Sequence, residues 1–245
     1  MGIVLHQFAS SHFNEKVRWA LAHKQLLHER KTYLPGPHIP AIKRVSGQNQ
    51  TPVLQIDDRF IAGSAAIIDE LERQYPHNPL YPESVSEREA ALAVQKRFDE
   101  VVGPAVRTVF FSVLIHHPDY LCRTFAKGKS RLKMLGYRAM LPLASPLIAK
   151  GNGVNDPKNI RRAFETVSMV LNEIPRTVKS TGYLQGGQFC IADLTAASLI
   201  APLAAIEHED MARPRPMPDA ISELLASYAE HPGIEWVRDV YRQNR

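Results

Sequence analysis

Little in this 245-residue chain is suited to cross-linking, to holding a metal or to crossing a membrane. Its only cysteines are Cys122 and Cys190, too few for a disulfide framework and too isolated for a thiolate metal site. A reducing compartment is the expectation, with no metal. The most apolar stretch, residues 191–206, is interrupted by Asp193, Thr195 and Pro202. It falls short of the roughly 20 apolar residues that a membrane span needs. The opening Met-Gly-Ile-Val-Leu-His-Gln-Phe has neither a basic stretch nor a small-residue cleavage site, so it does not read as a secretory signal. A cytoplasmic protein is expected, with no membrane partner. There is no internal repeat and no nucleic-acid-binding motif.

Acidic residues are absent from Leu121 to Asn155, where Arg123, Lys127, Lys129, Arg131, Lys133, Arg138 and Lys150 lie. Part of the net charge of +5 is therefore concentrated there. Such a segment attracts anions, although a solvated helical face is its commoner use. The remaining composition, 44% hydrophobic and 22% charged, is that of a globular protein. The length allows two domains.

The first 75 residues read β-α-β then β-β-α. Ile3 to Phe8 is a short apolar strand, and Phe13, Val17, Ala20 and Leu21 recur at helical spacing with Lys16, Arg18 and Lys24 between them, an amphipathic helix. Leu27 to Leu34 is a weak second strand that ends at Pro35-Gly36-Pro37. Pro52 to Ile56 and Arg59 to Ala62 flank Asp57-Asp58 as a hairpin, and Ser64 stands where it can cap a helix that buries Ile67, Ile68, Leu71 and Tyr75. This order implies an α/β sandwich with one mixed sheet.

A proline-rich linker follows, which places domains at residues 1–78 and 86–245 with a linker at 79–85. The second domain reads as all helical. Ser86 with Glu89 looks like a capping box ahead of Ala91, Val94, Phe98, Val101 and Val102. Gly103-Pro104 should break or kink that helix before Val106, Phe110, Val113 and Leu114 continue. Residues 121–150 should form one or two helices interrupted at Gly136, Pro142 and Pro146. Asp156-Pro157 opens a helix whose inner face would be Ile160, Phe164, Val167 and Leu171. Residues 191–206, apolar on nearly every side, belong at the centre, 211–218 form a surface loop, and two helices close the chain.

Three places suggest chemistry. Ser11 leaves the first strand at a helix N-terminus, where unpaired N–H groups favour negative charge, including a bound thiolate. A plain cap is the commoner role of such a serine. At Gln50-Thr51-Pro52, a cis bond would turn the Thr51 backbone outward for pairing with an extended peptide, while a trans turn is the ordinary alternative. At Gly63-Ser64, a helix start offers a hydroxyl and N–H groups to a carboxylate, or simply an N-cap.

Taken in order, these segments resemble the glutathione transferase family over essentially the whole chain. Ser11 through Arg18 is similar to its Ser/Cys-x-x-x-x-Lys/Arg-x-Arg loop, Thr51-Pro52-Val53-Leu54 to its cis-proline segment, and Gly63-Ser64-Ala65-Ala66-Ile67 to its acid-Ser-x-x-Ile signature. Phe189-Cys190-Ile191-Ala192-Asp193 and His231-Pro232-Gly233 through Trp236 match elements of its helical half. The resemblance implies a thioredoxin-like N-terminal domain, an all-α C-terminal domain, glutathione as co-substrate and a homodimer. It places Ser11 at the glutathione sulfur and Gln50, Thr51, Pro52, Gly63 and Ser64 along the tripeptide, with His38 a weaker candidate at the glycyl end. A small, electrophilic, hydrophobic substrate would meet His12, Val106, Arg107, Phe110 and Phe111.

Four departures qualify it. Gly63 replaces an acid, and Cys190 replaces a hydroxyl cap, a change that would cost up to about 1 kcal/mol. Asn14 stands with Ser11 where redox relatives have two cysteines, so disulfide exchange through a protein thiol is excluded there. His12 replaces a proline and reads as an exposed loop residue or, less commonly, an acid/base group. The rival readings are a binding module that has lost catalysis and a glutathione-dependent isomerase or lyase.

Overall fold

The computed structural model describes residues 2–245; Met1, the first residue of the expected domain, lies outside them. The first domain comprises β1 (Ile3–Phe8), α1 (His12–His23), β2 (Glu29–Tyr33), α2 (Ile39–Ser46), β3 (Val53–Ile56), β4 (Arg59–Ala62) and α3 (Ser64–Gln74). Its four strands lie in the order β2-β1-β3-β4, with β1 parallel to β2 and antiparallel to β3. The sheet is therefore mixed and the fold thioredoxin-like. In register, Leu5 of β1 faces Leu54 of β3, and both are fully buried with Val17, Leu21, Ile67 and Ile68 of the covering helices. The hairpin turns at Asp57, which takes a positive φ of 51°. Helix α2 has no counterpart in the sequence reading: it is eight residues long, buries only Ile42 fully, and follows the Pro-Gly-Pro cluster.

The helical domain comprises α4 (Val85–Arg97), α5 (Gly103–Leu114), α6 (Pro118–Phe125), α7 (Arg131–Gly151), α8 (Pro157–Thr177), α9 (Ile191–Ile200), α10 (Asp219–Ala226) and α11 (Pro232–Asn244). Every residue of α9 is buried, as its all-round apolarity requires. Asp193 organises its start: Oδ1 accepts from the Leu184 N–H at 2.7 Å and Oδ2 from the Cys190 N–H at 3.0 Å. The carboxylate thus meets the cap that a thiol serves poorly. Desolvation raises Asp193 to about 6 and Cys190 to about 12.

Several local expectations give way. Helix α4 begins at Val85, so Ser84 holds the cap position and the expected Ser86–Glu89 box does not form. At Gly103-Pro104 the chain stays helical, but a π-helical turn at Phe98–Val102 interrupts the α-helix, and Pro104 stands in the first turn of α5. Helix α7 runs unbroken through Gly136, Pro142 and Pro146. On α8, Asp156 caps as expected, its Oδ1 accepting from the Lys158 N–H at 2.9 Å, but Phe164 is 36% exposed because the inner stripe is Ala163, Val167, Val170 and Leu171. No helix among the described residues is long and apolar enough to cross a membrane.

The largest revision concerns α1. Its polar face does not meet water, because the helical domain packs over it through α9. Lys16, Arg18 and Lys24 are all fully buried. The basic segment is also put to structural use. Lys129 Nζ donates to the Thr32 carbonyl of β2 at 2.7 Å, Lys127 to the Glu209 carbonyl, and Arg123 to the carbonyls of Arg215 and Pro216.

Candidate functional site

Hydrogen bonds bring the three suggestive segments together. Asn14, in the first turn of α1, donates from Nδ2 to Thr51 Oγ1 at 3.1 Å. The next residue, Pro52, follows a cis peptide bond and accepts at its carbonyl from the Gly63 N–H at 3.0 Å. Gly63 occupies the cap position of α3 with φ +92°, a conformation that side-chain-bearing residues rarely adopt. Ser64 is thereby the first residue of α3 rather than its cap. It is 7% exposed, and its hydroxyl makes no hydrogen bond among the described residues.

Ser11 occupies the cap position of α1 with extended backbone, its carbonyl accepting from the Glu15 N–H at 2.8 Å. Its hydroxyl caps nothing and is half-buried, so the plain-cap reading fails and the group is unspent. Asn14 adds a second unspent group, a fully buried side chain whose Oδ1 has no partner. Gln50 is exposed beside this edge. His38 is committed elsewhere. Its Nδ1 accepts from the Gly36 N–H at 3.1 Å, so Nε2 carries the proton and donates to the Asn49 carbonyl at 2.8 Å. Desolvation lowers its pKa, and the neutral ring holds the 36–49 loop in place.

Beside this edge a cleft enclosing roughly 500 Å³, part of it open to solvent, lies between the domains. Ser10 and His12 line it from the first domain; Arg107, Phe110, Phe111, Thr124 and Phe125 line it from α5 and α6. Of the pocket residues expected from sequence, His12, Arg107, Phe110 and Phe111 are present, whereas Val106 turns into the core. Sequence reasoning missed Ser10, Thr124, Phe125, Pro202, Met211 and Arg213. Met211 and Arg213 lie in a proline-containing loop with no periodic pattern to mark them.

His12 is not the exposed residue that its loop position suggests. It is 5% exposed, and Nε2 donates to the Gly103 carbonyl at 3.0 Å. Glycine suits position 103 because a Cβ there would sit 2.8 Å from the Phe13 ring. Desolvation, and then the Arg107 charge, pulls His12 down to about 3. It is a neutral spacer at neutral pH and supplies no acid.

One carboxylate group elsewhere resembles a cation site. Glu15, His208 and Asp210 bring ligand atoms within 4.8 Å of one another. Three guanidinium groups already hold both acids, with Arg18 on Glu15 at 2.8 Å, Arg245 on both, and Arg30 on Asp210. The donor set does not suit a metal ion.

Comparison with known proteins follows the same lines. Residues 5–79 match the family model for the glutathione S-transferase N-terminal domain. The chain is 24% identical over 209 residues to maleylacetoacetate isomerase of Dictyostelium discoideum, covering 81% of this chain and 76% of that protein. Among solved structures, the β-etherase LigF of Sphingobium sp. strain SYK-6 superposes with a TM-score of 0.65 at 17% identity, covering 99% of this chain and all (100%) of that one. A glutathione S-transferase of Methylobacterium radiotolerans in complex with glutathione sulfonate superposes at 0.61 with 18% identity, covering 100% and 94%.

Proposed function

We propose, on the premise that the first domain belongs to the glutathione S-transferase N-terminal family, that this chain binds glutathione and readies its thiolate for attack on an electrophilic small molecule. The observation that carries this reading is the unspent Ser11 hydroxyl at the N-terminus of α1, one residue from a cleft that both domains line. A thiolate there would take a hydrogen bond from Ser11 and meet the positive end of α1. Glutathione would lie along Thr51-Pro52 with Gln50 beside its backbone, and its γ-glutamyl carboxylate would meet the free Ser64 hydroxyl and the first N–H groups of α3. Gly63 contributes no acid, so the amino group of glutathione has to be met elsewhere. His38, the weaker candidate at the glycyl end, already has both ring nitrogens engaged by backbone groups of residues 36–49.

Ionisation lowers the barrier by increasing the thiolate fraction, and the cleft adds orientation. The proton leaves to solvent, sulfur bonds to the electrophilic carbon, and a leaving group departs or the carbanion takes a proton. A glutathione-dependent isomerisation or ether cleavage begins with the same attack, and the isomerase and β-etherase relatives favour one of these outcomes. In an isomerisation glutathione returns unconsumed, which product analysis reads directly.

The test is thiolate ultraviolet absorbance of bound glutathione in the wild type and in Ser11→Ala. Loss of one hydrogen bond to a charged group should raise the apparent thiol pKa by about 1–2 units. An unchanged titration removes Ser11 from the mechanism. Failure of glutathione to bind at millimolar concentration leaves the non-catalytic module as the reading.

A further inference from the structure

The cleft holds an electrostatic imbalance that a purely hydrophobic acceptor leaves unexplained. Two arginines line it, Arg107 from α5 and Arg213 from the loop after α9, and no acidic residue does. Arg107 makes no ion pair and no hydrogen bond among the described residues, and its buried Nε has no partner. Arg213 lies 4.2 Å above the Phe110 ring and donates from Nη2 to the Pro202 carbonyl, which leaves most of its five N–H donors free. It has no carboxylate partner either. The cations packed around α1 are held differently. Lys16, Arg18, Lys24 and Arg245 each meet a carboxylate within 3.0 Å.

Both guanidinium groups are part-buried, and desolvating such a charge without a counter-charge is costly, so a pair of them in one cleft favours an anion there. Guanidinium forks match carboxylates in two-point geometry. The remaining walls decide what carries that carboxylate, because Phe110, Phe111 and Phe125 present aromatic surface around the same space. His12 adds no competing charge, because burial keeps its ring neutral with the Nε2–H donated to the Gly103 carbonyl. Desolvation lowers both arginines, Arg213 to about 10, the direction expected where no anion offsets the buried charge.

We propose that the cleft is an acceptor site for a small aromatic carboxylate, its carboxylate held by Arg107 and Arg213 and its ring held by the phenylalanines. That this ligand is also the electrophile rests on the glutathione reading above; its binding does not.

The experiment is calorimetry with trans-cinnamate and its neutral isostere cinnamamide, with and without glutathione. The wild type should prefer the acid by at least about tenfold, as charged hydrogen bonds imply. Arg107→Gln should reduce that preference to about threefold or less, because one fork is removed. Equal binding of acid and amide by the wild type overturns the inference without recourse to any variant. So does a preference that Arg107→Gln leaves intact. The two readings fail separately: cinnamate binding without glutathione binding sinks the proposed function alone, and glutathione binding without acid preference sinks this inference alone.

Discussion

Two stretches of the seam between the domains carry buried charge, and they treat it in opposite ways. Along the body of α1 every buried cation is paired. Lys16 meets Asp99 at 2.6 Å, Lys24 meets Glu72 at 2.7 Å, and Arg18 reaches Glu15, Gln7 and the Asp210 carbonyl. At the mouth of the seam the Ser11 hydroxyl, Asn14 Oδ1 and the guanidinium of Arg107 have no partner. Buried polar groups left unmatched call for an explanation, and a ligand is one. In the paired stretch Lys16–Asp99 and the Arg18 contact with Asp210 cross between the domains, and the unmatched groups fall in the site proposed above.

Four single substitutions, one of them with a compensating second change, sharpen or break that contrast. The largest effect is expected at the paired end. Asp99→Asn leaves the buried Lys16 charge without its counter-ion, and urea denaturation at neutral pH should show a loss of about 3 kcal/mol. Lys16→Met added to it should recover most of that, since Lys16 already sits at about 8 through desolvation. A loss under about 1 kcal/mol for Asp99→Asn would end the idea that pairing there is structural.

Acid comes next, through His12. The unfolded ring protonates near 6.5 and the folded ring only at about 3, so between these values the unfolded chain binds the extra proton. Stability contributed by the neutral ring is complete above 6.5 and falls as pH falls toward 3. Between pH 7 and 4.5 the wild type should lose roughly 2 kcal/mol more than His12→Gln. Parallel pH profiles for the two proteins would contradict the buried, neutral His12. The comparison against a variant is needed because Asp193, raised to about 6, acts in the opposite direction.

At the unpaired end the effects on stability shrink. Arg107→Gln removes a charge that nothing offsets, so denaturation should show no loss and a gain of up to about 1 kcal/mol. A clear loss would mean that Arg107 has a structural partner. Ser11→Ala is expected to be smallest, under about 0.5 kcal/mol, because the hydroxyl makes no cap bond. Its consequence should appear in the glutathione titration instead.

Legibility followed range. The β3–β4 hairpin, the Asp156-Pro157 helix start and the all-buried α9 are written in adjacent residues, and the structure has them where the pattern does. At Thr51-Pro52 the residues left a trans turn as the ordinary reading where the bond is cis, and Ser64 opens α3 where a cap was expected, with Gly63 in the cap position. The Ser86–Glu89 box was equally local in form yet wrong, since Ser84 takes the cap two residues earlier. Helix α2 was hidden by its short length and its neighbouring prolines. His12 was misread because its burial comes from Gly103, which is 91 residues away. Arg213 carried no signal at all: a cation in an irregular loop looks the same whether it faces water or a ligand.

Periodicity, turn residues and motif order by themselves determined an α/β part followed by a helical part, because that order depends on neighbours in the chain. Only tertiary structure decided which charges are spent and which are free. The same sequence motif that holds Ser11 also holds Lys16 and Arg18, and nothing within it distinguishes a residue that a second domain will satisfy from one that it will leave open. That distinction comes from desolvation by distant segments, α9 over the body of α1 and α5 with the Arg213 loop at its mouth.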